Sequence, residues 1–447
     1  MRENDMGTKK VFPLVCYMAF PPMLSMLIQS LYNIIDSIFV ARLSQDALSA
    51  VSIVFPIQNM MLSIAVGAGV GLNSYIARNM GAGNRKKAEE AVGVGLILSV
   101  FQYLFDAIVG LLILRPFVGL YATNEQVLKY CMDYGVIIVL FSFGQMLHIT
   151  LEKIFQAMGK MMISMTLQAA GCVVNIVLDP ILIFGLGPMP ALGVKGAAIA
   201  TVAGQMTSAG IGVILFLKGK SELRSRKLER RDEMLPIVKQ IYAVGIPSAL
   251  VMALPSFLVS GLNVILSGLT PIGVAVFGIY YKLQTFVYMP VSGLIQGIRP
   301  LVGFQYGAKL MKREKEIMKY SILLVGTVMV IGTLLFWLIP DVFLGMFDAT
   351  EEMYVLGERL LRIVSIAFVP SAVGIIIAAE FEGIGKGVIS LIITLLRQFI
   401  ILLPIAIISS RSVGTDGVWI AFPIAETVAA VVAVMFLRKE WKSRDWK

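Results

Sequence analysis

Residues 75–91 read YIARNMGAGNRKKAEEA, and residues 300–317 repeat the pattern as PLVGFQYGAKLMKREKEI. Each stretch contains a Gly-Ala pair, at 81–82 and at 307–308, and a run of basic residues follows each pair. The two pairs stand 226 residues apart in a chain of 447 residues. This spacing indicates that the second half of the chain is a copy of the first.

Three further matches in the same order support the duplication. They pair FPIQ (55–58) with YKLQ (281–284), FQAMGK (155–160) with FEGIGK (381–386) and, at a shorter offset, GVKGAAIA (193–200) with GTDGVWIA (414–421). One such match is compatible with chance, whereas four in sequence order are typical of an internal repeat.

The composition is that of a polytopic helical membrane protein. Hydrophobic residues make up 57% of the chain and charged residues only 15%, and the mean hydropathy is +0.84. Long apolar windows recur from end to end, which predicts membrane-spanning helices. We predict twelve spans, at roughly 11–40, 50–77, 91–114, 131–155, 162–186, 193–217, 236–266, 273–302, 319–340, 356–381, 386–410 and 415–437.

The repeat gives each half six spans. Because six is even, both halves enter the membrane with the same orientation, which makes them parallel repeats. Such halves form two lobes around a central cavity and open it alternately to the two sides. The expected fold is therefore all-α, with a V-shaped pair of six-helix lobes. The N-terminal lobe spans residues 1–217, a charged cytoplasmic linker spans 218–235, and the C-terminal lobe spans 236–447.

The net charge of +10 reflects topology rather than a nucleic-acid partner. Most of the 38 Lys and Arg residues lie in the loops and span ends on one side of the predicted membrane segments. The positive-inside rule then places both termini in the cytoplasm, for a multi-pass protein of the plasma (inner) membrane. No nucleic-acid partner is expected.

Soluble and enzymatic functions lack the motifs they need. The chain has no GxxxxGK[ST] phosphate-binding loop, so the sequence encodes no ATP-driven step. Its three cysteines are scattered, without metal-ligand spacing. Its intramembrane aspartates stand in IIDS and LDPI, unlike the YD and GxGD motifs of intramembrane aspartyl proteases. We predict that the protein is not an enzyme.

Span one carries a polar stripe. Ser25, Gln29, Asn33 and Asp36 recur three or four residues apart, which places them on one face of an apolar helix. A charged residue at mid-span costs about 2.5–3.5 kcal/mol on insertion scales. The stripe is therefore expected to face the protein interior or a water-filled cavity.

Span five carries a second intramembrane acid. Asn175 and Asp179 are four residues apart, so the amide and the carboxylate share one helix face. Pro180 follows and is expected to free the carbonyl of Ile176 and to displace Asp179 from regular helix. Thr201 in span six could add a hydroxyl oxygen, and the set would suit a proton or a cation.

The repeat makes the two aspartates more informative. The second-half positions that correspond to Asp36 and Asp179 fall near 261–263 and near 403–405, where there is no carboxylate. Only the N-terminal half carries the acidic pair, which favours asymmetric ion chemistry there. The alternative is a structural role, in which the two acids stay neutral and capped by neighbours.

Other intramembrane polar residues leave alternatives open. Asp106 in span three could relay protons or point toward the membrane surface. Lys282 and Arg397 could pair with carboxylates or line the cavity. Glu380, at the end of span ten, could be solvated there or contribute to a second cation site. His148, the single histidine, is expected to pack among apolar residues.

Several motifs together resemble one transporter family. They are LYNIIDSIFVARLSQDALSA (31–50), YIARNMGAGNRKKAEEA (75–91), NIVLDPILIFG (175–185), GVKGAAIAT (193–201), YGAKLMKREKE (306–316) and GIGKGVISLIITLLRQ (383–398). Over essentially its full length the chain resembles the multidrug and toxic compound extrusion (MATE) family, and most of all its DinF-like branch. The resemblance implies secondary active efflux of organic, often cationic compounds, coupled to antiport of H+ or Na+.

The resemblance also implies a site. In the DinF-like branch the N-lobe cation site carries over onto Asp36, Asn175, Asp179 and Thr201, where Na+ is one candidate ion. No cofactor besides the coupling ion is implied. The expected partners are small organic substrates and membrane lipid, and the protein is expected to be a monomer. In the other bacterial branch, the acidic residues stand in helices seven and ten of the C-lobe. In this sequence only Glu380 loosely matches one of those positions.

Two other functions remain open from the sequence. A flippase for lipid or lipid-linked oligosaccharide shares the broader fold, and it would need a cavity lined by several basic residues to hold a pyrophosphate. Lys282 and Arg397 are the candidates for such a lining. An ion channel without coupled transport is the third reading.

Overall fold

The computed structural model describes residues 5–186, 189–226, 233–347 and 350–444. Regular structure in these ranges is helical, without strands. Part of the predicted linker, residues 227–232, lies outside the described residues.

The helices are α1 (Asp5–Thr8), α2 (Val11–Leu43), α3 (Gln45–Gly81), α4 (Arg85–Tyr121), α5 (Glu125–Leu140), α6 (Phe143–Ala157), α7 (Met161–Phe184), α8 (Val194–Leu215), α9 (Met234–Ser267), α10 (Pro271–Gly307), α11 (Met311–Leu338), α12 (Pro340–Gly345), α13 (Glu351–Ser365), α14 (Phe368–Gly383), α15 (Gly387–Leu395), α16 (Leu402–Val413) and α17 (Thr415–Arg444). Two π-helical segments, Phe216–Lys220 and Leu396–Ile400, follow α8 and α15.

The helices confirm a twelve-span architecture. Among the described residues, ten stretches are long and apolar enough to cross a membrane. Two bent pairs, α5 with α6 and α13 with α14, each pass the same test together and bring the number to twelve. Both pairs bend by 47°, at equivalent places in the two halves. The bends are therefore a repeated feature of the fold.

Short polar caps set the boundaries between spans. A single residue, Ser44, separates α2 from α3, and its hydroxyl accepts a hydrogen bond from the amide of Ala47 at 3.0 Å. The side chain of Asn124 caps α5 in the same way through the amide of Val127, at 2.8 Å. Such caps satisfy amide donors that the first turn of a helix leaves unpaired.

The expected distortion at Pro180 is wrong in one respect. Helix α7 runs without interruption from Met161 to Phe184, so Asp179 lies in regular helix. Proline still lacks the N–H that the carbonyl of Ile176 would receive. The turn stays helical despite that lost bond.

The lobes touch at the end of the molecule that holds both termini. A methyl group placed on Gly81 of α3 would overlap the carbonyl of Phe304, and one placed on Gly307 of α10 would overlap the carbonyl of Arg78. These glycines are the repeated pair of the sequence. They let the ends of α3 and α10 pack backbone against backbone, because a glycine has no Cβ to hold them apart.

The same end contains further contacts between the lobes. The hydroxyl of Ser74 on α3 donates to the carbonyl of Gly383 on α14, at 2.8 Å. A methyl group on Gly297 of α10 would overlap the carbonyl of Met18 on α2. The contacts fall in the first half of α2 and in the last halves of α3 and α10, so the lobes meet at one end of the spans.

The buried apolar residues form two clusters, which agree with lobe contacts at one end of the spans. One cluster combines the C-terminal lobe with the termini end of the N-terminal lobe. The second cluster lies within the N-terminal lobe, toward the opposite end, and includes Val40, Ala47, Leu114, Cys131 and Val194. The fold is thus two lobes that share a core at the termini end.

Candidate functional site

The two intramembrane aspartates meet inside the N-terminal lobe. The carboxyl group of Asp36, on α2, lies within hydrogen-bonding reach of that of Asp179, on α7. Asp179 is fully buried. Within the described residues neither oxygen of Asp179, nor Oδ1 of Asp36, receives a hydrogen bond. Two ionised carboxylates have no proton to share, so this contact needs a proton or a cation between them.

Two of the predicted partners adjoin the pair. Asn175 lies one turn before Asp179 on α7, and its Nδ2 donates to Oγ1 of Thr201 on α8 at 3.3 Å. Both residues are buried, and Oδ1 of Asn175 is without a donor among the described residues. Carboxylate, amide and hydroxyl oxygens converge here, which is the ligand chemistry of a hard cation. In the described ranges no cluster of three or more His, Cys, Asp or Glu residues has the form of a metal site.

Two tyrosines complete the site, and sequence reasoning missed both. The hydroxyl groups of Tyr32 and Tyr134 each lie within hydrogen-bonding reach of Thr201. The hydroxyl of Tyr134 also accepts from Nε2 of Gln58, at 3.3 Å. Tyr32 could have been found, because it stands four residues before Asp36 on the same helix. Tyr134 is brought in from α5 by tertiary packing and leaves no local signal.

Replacement of Tyr134 by phenylalanine is expected to slow transport about fivefold. The change keeps the ring and removes only the hydroxyl that contacts Gln58 and Thr201, and a neutral hydrogen bond contributes about 1 kcal/mol. Initial rates of efflux from proteoliposomes measure the effect. Tyr130→Phe, at a partly exposed position one turn earlier on α5, is the matched control and should retain the wild-type rate. Equal rates for all three proteins would contradict the assignment.

The acidic pair adjoins a cavity of about 420 Å³. Tyr32, Asn175 and Thr201 line this cavity, which we call cavity 1. Its other polar lining residues are Gln29, Gln145, His148, Glu152, Lys153, Gln168, Gln205, Ser208, Ser292, Gln296 and Arg299. Residues one helical turn from the two acids therefore also face a space large enough for a small organic molecule.

The polar stripe of α2 is only partly on the cavity side. Gln29 lines cavity 1, and the buried hydroxyl of Ser25 donates to the carbonyl of Pro21 at 3.2 Å. Asn33, in contrast, is exposed and lines neither of the cavities described here. The structure thus separates Asn33 from the predicted site.

One wall of cavity 1 is a buried hydrogen-bond network between the lobes. Nζ of Lys153, on α6, lies 3.0 Å from Oε1 of Gln156 and 3.0 Å from Oε1 of Gln296 on α10. Oε1 of Glu152 accepts from Gln156 at 2.6 Å and from Ser164 at 3.1 Å. Lys153 is 4% exposed and lines the cavity, a role that the sequence analysis did not single out.

His148 lies in the same wall rather than in an apolar environment. It lines cavity 1 one turn before Glu152, and its Nε2 has no partner within the described part of the chain. The prediction of a purely packing histidine is therefore wrong.

A second cavity, of about 350 Å³, lies in the C-terminal lobe. We call it cavity 2; it shares Met289, Ser292, Ile295 and Arg299 of α10 with cavity 1. Arg397 lines it, and Nε of Arg397 lies 3.0 Å from Oε1 of Glu426. Both alternatives for Arg397, a carboxylate pair and a cavity lining, are thus found together.

The remaining candidates lie outside both cavities. Lys282 is exposed, and its Nζ lies 5.8 Å from the centre of the Phe347 ring. Asp106 is 3% exposed on α4, and its Oδ2 has no hydrogen-bond donor in the described residues. Glu380 is fully buried at the termini end, where Oε1 accepts from Nε1 of Trp441 at 3.1 Å. The solvated alternative for Glu380 is therefore wrong.

Comparison with known proteins places this arrangement in a family. The MatE family model matches the chain twice, over residues 21–181 and 247–408. The two matches begin 226 residues apart, which is the offset of the internal repeat. The chain belongs to the MatE family. It is therefore a membrane transporter of the MATE multidrug efflux family and not an enzyme.

Relatives of this MatE protein share its whole length. It is 25% identical over 432 residues to the multidrug export protein MepA of Staphylococcus aureus (strain MSSA476), a match that covers 96% of this chain and 93% of the relative. A solved structure described as the outward-facing conformation of a multidrug resistance MATE family transporter of the MOP superfamily has a TM-score of 0.91. That structure is 25% identical and covers 100% of this chain and 99% of its own. Another, of MATE in a bent conformation, has a TM-score of 0.89 at 26% identity and 98% coverage of both chains.

Proposed function

We propose that this MatE protein exports small organic compounds, many of them cations, by antiport of H+ or Na+. The observation that carries the proposal is the contact between Asp36 and Asp179 beside cavity 1. Within the described residues no Lys, Arg or His lies within 4.0 Å of either carboxylate. Buried charge without a partner is costly, so the pair favours a bound proton or a bound cation.

Coupling follows from the position of the pair. Tyr32 and Asn175 each stand one turn from one of the acids on its own helix, both adjoin Thr201, and all three residues line the cavity. A cation that neutralises the pair removes the negative field that attracts a cationic compound and rearranges the hydrogen bonds of these shared residues. The ion and the compound then bind the two conformations differently, which is what exchange requires.

The side of the membrane toward which the cavity opens belongs to the same proposal. With both termini in the cytoplasm, the lobe contacts at the termini end close the cavity toward the cell interior. Ions enter from outside in this conformation, and the exported compound leaves. The likeness to a structure described as outward-facing supports this assignment.

The test is efflux from proteoliposomes that contain the purified full chain and a fluorescent organic cation. A proton gradient and a sodium gradient are imposed separately, each with the other ion equal on both sides. We expect one gradient to accelerate efflux at least about fivefold, the lower limit of an ordinary coupling free energy. If neither gradient, nor both together, changes the rate relative to empty liposomes, the antiport proposal fails.

The flippase alternative receives less support. Lys153, Arg299 and Arg397 line the two cavities, which is more basic lining than the sequence predicts. Each of these residues has a carboxylate neighbour, however: Glu152 at 3.5 Å, Glu382 at 2.6 Å and Glu426 at 3.0 Å, respectively. Each lining cation is thus paired with a carboxylate, whereas a pyrophosphate needs an excess of unpaired cations.

A further inference from the structure

Arg299 occupies a special place in the cavity system. It is the charged residue common to the linings of cavities 1 and 2, and it lies in the last third of α10. Its side chain is 20% exposed, so part of the guanidinium reaches the cavity space.

The hydrogen-bonding capacity of Arg299 is unused by the described residues. Its Nε forms an ion pair with Oε2 of Glu382 at 2.6 Å without hydrogen-bond geometry, and no described residue accepts a hydrogen bond from the two terminal nitrogens. Lys153 differs, because its ammonium already has oxygens of Gln156 and Gln296 at 3.0 Å. A guanidinium with a free pair of parallel N–H donors matches the two oxygens of a carboxylate or another oxyanion.

The repeat provides an internal comparison for the charge. At the offset of 226 residues, Arg299 corresponds to Asn73 and Glu382 corresponds to Gln156. In the N-terminal lobe these neutral residues hold their helices together through their amide groups, since Nδ2 of Asn73 donates to a carbonyl of α6 at 3.1 Å and Nε2 of Gln156 donates to Ser164 at 2.9 Å. The repeated helix packing therefore does not require a charged pair at these positions. The charge of Arg299 serves another purpose.

Cavity 1 has opposite polarity at its two ends. Tyr32 and Thr201 connect it with the acidic pair, whereas Arg299 faces it from the C-terminal lobe. We propose that Arg299 is a subsite for an oxyanion, so that this protein prefers amphoteric compounds that carry both a cationic group and a carboxylate. The proposal rests on the proposed function only in naming the bound compound a substrate.

Equilibrium binding to the purified full chain tests the subsite without any ion gradient. The probes are rhodamine B, which carries a delocalised cation and a carboxylate, and its methyl ester, in which the carboxylate is masked. Fluorescence anisotropy should show that the wild type binds rhodamine B about tenfold more tightly than the ester, as charged hydrogen bonds permit. An equal affinity for both probes would overturn the proposal.

The decisive variant reproduces the neutral residues of the N-terminal lobe. Arg299→Asn combined with Glu382→Gln should bring the affinity ratio of the two probes close to one. Arg299→Lys keeps the charge and the ion pair but loses the paired donors. Its affinity ratio should therefore fall between that of the wild type and that of the double variant. Should the double variant unfold, Arg299→Lys alone decides, and a wild-type ratio there counts against the subsite.

A matched control removes an ion pair outside both cavities. Lys386 and Glu440 lie 2.5 Å apart at the termini end, and Lys386→Gln with Glu440→Gln should keep the tenfold preference. If this control also lost the preference for rhodamine B over its ester, the preference would come from general charge effects, and the proposal would be overturned. Gradient-driven efflux of both probes is measured in parallel. Its absence would refute antiport, while the affinity ratio still decides the subsite.

Discussion

Replacing Asp36 or Asp179 by asparagine is expected to reduce ion-driven export by about 5–150-fold, the range of a coupling free energy of 1–3 kcal/mol. Asparagine has nearly the same shape as aspartate, but it binds no exchangeable proton and ligates a cation more weakly. Because the two carboxyl groups contact each other, either change alone should uncouple the pair. Efflux rates of a fluorescent cation under the effective gradient measure the loss.

The control for this prediction is Asp106→Asn. Asp106 is also a buried carboxylate, at 3% exposure, but it lines neither described cavity. The Asp106→Asn variant should keep most of the acceleration of efflux by the ion gradient. The coupling assignment is wrong if both variants of the pair transport at the wild-type rate, or if Asp106→Asn loses as much activity as they do.

The second large effect is expected from Gly307→Ala. The added methyl group would overlap the carbonyl of Arg78, which is backbone and cannot rotate away. Overpacking of this kind costs about 1–3 kcal/mol or more. The contact joins the two lobes only while the termini end is closed, so the change should destabilise this conformation. The population of the opposite conformation relative to this one should rise about 5–150-fold.

Distances between labels on the two lobes measure that shift. Cysteines introduced at Leu120 and Leu338, both strongly exposed at the far end of the spans, carry spin labels on a cysteine-free background. We expect the distance distribution of Gly307→Ala to gain a component with the far ends closer together. Gly326→Ala, in the middle of α11 with open space around its Cβ position, should leave the distribution unchanged. An unaltered distribution in Gly307→Ala would mean that the contact does not hold this conformation.

Much of the site was predictable because its signals are local. Asp36 stands in an apolar window, and Asn175 and Asp179 share a face at a spacing of four residues. The repeat showed further that the second half lacks both acids. That these acids contact each other was not predictable from the residues alone, since α2 and α7 are brought together by packing.

Other residues escaped sequence reasoning because the spans are longer than the membrane core. Helix α10 has 37 residues, which corresponds to about 55 Å, whereas the hydrocarbon core is about 30 Å thick. Hydropathy therefore cannot decide whether Arg299 lies at a water-exposed end or in a cavity. The same uncertainty hid Lys153 from the sequence analysis and left open the position of Lys282.

The sequence by itself determined the duplication, the twelve helices, the family and the presence of two intramembrane acids in the first half only, because hydrophobic periodicity and a fixed offset are properties of the chain alone. Only the tertiary structure decided which polar side chains share the cavities, that Asn33 is excluded from them, that Arg299 belongs to both, and that Tyr134 lies beside Thr201. The physical reason is that a helix face acquires its neighbours from the packing of the lobes. In this protein that packing depends on backbone contacts at glycines such as Gly81 and Gly307.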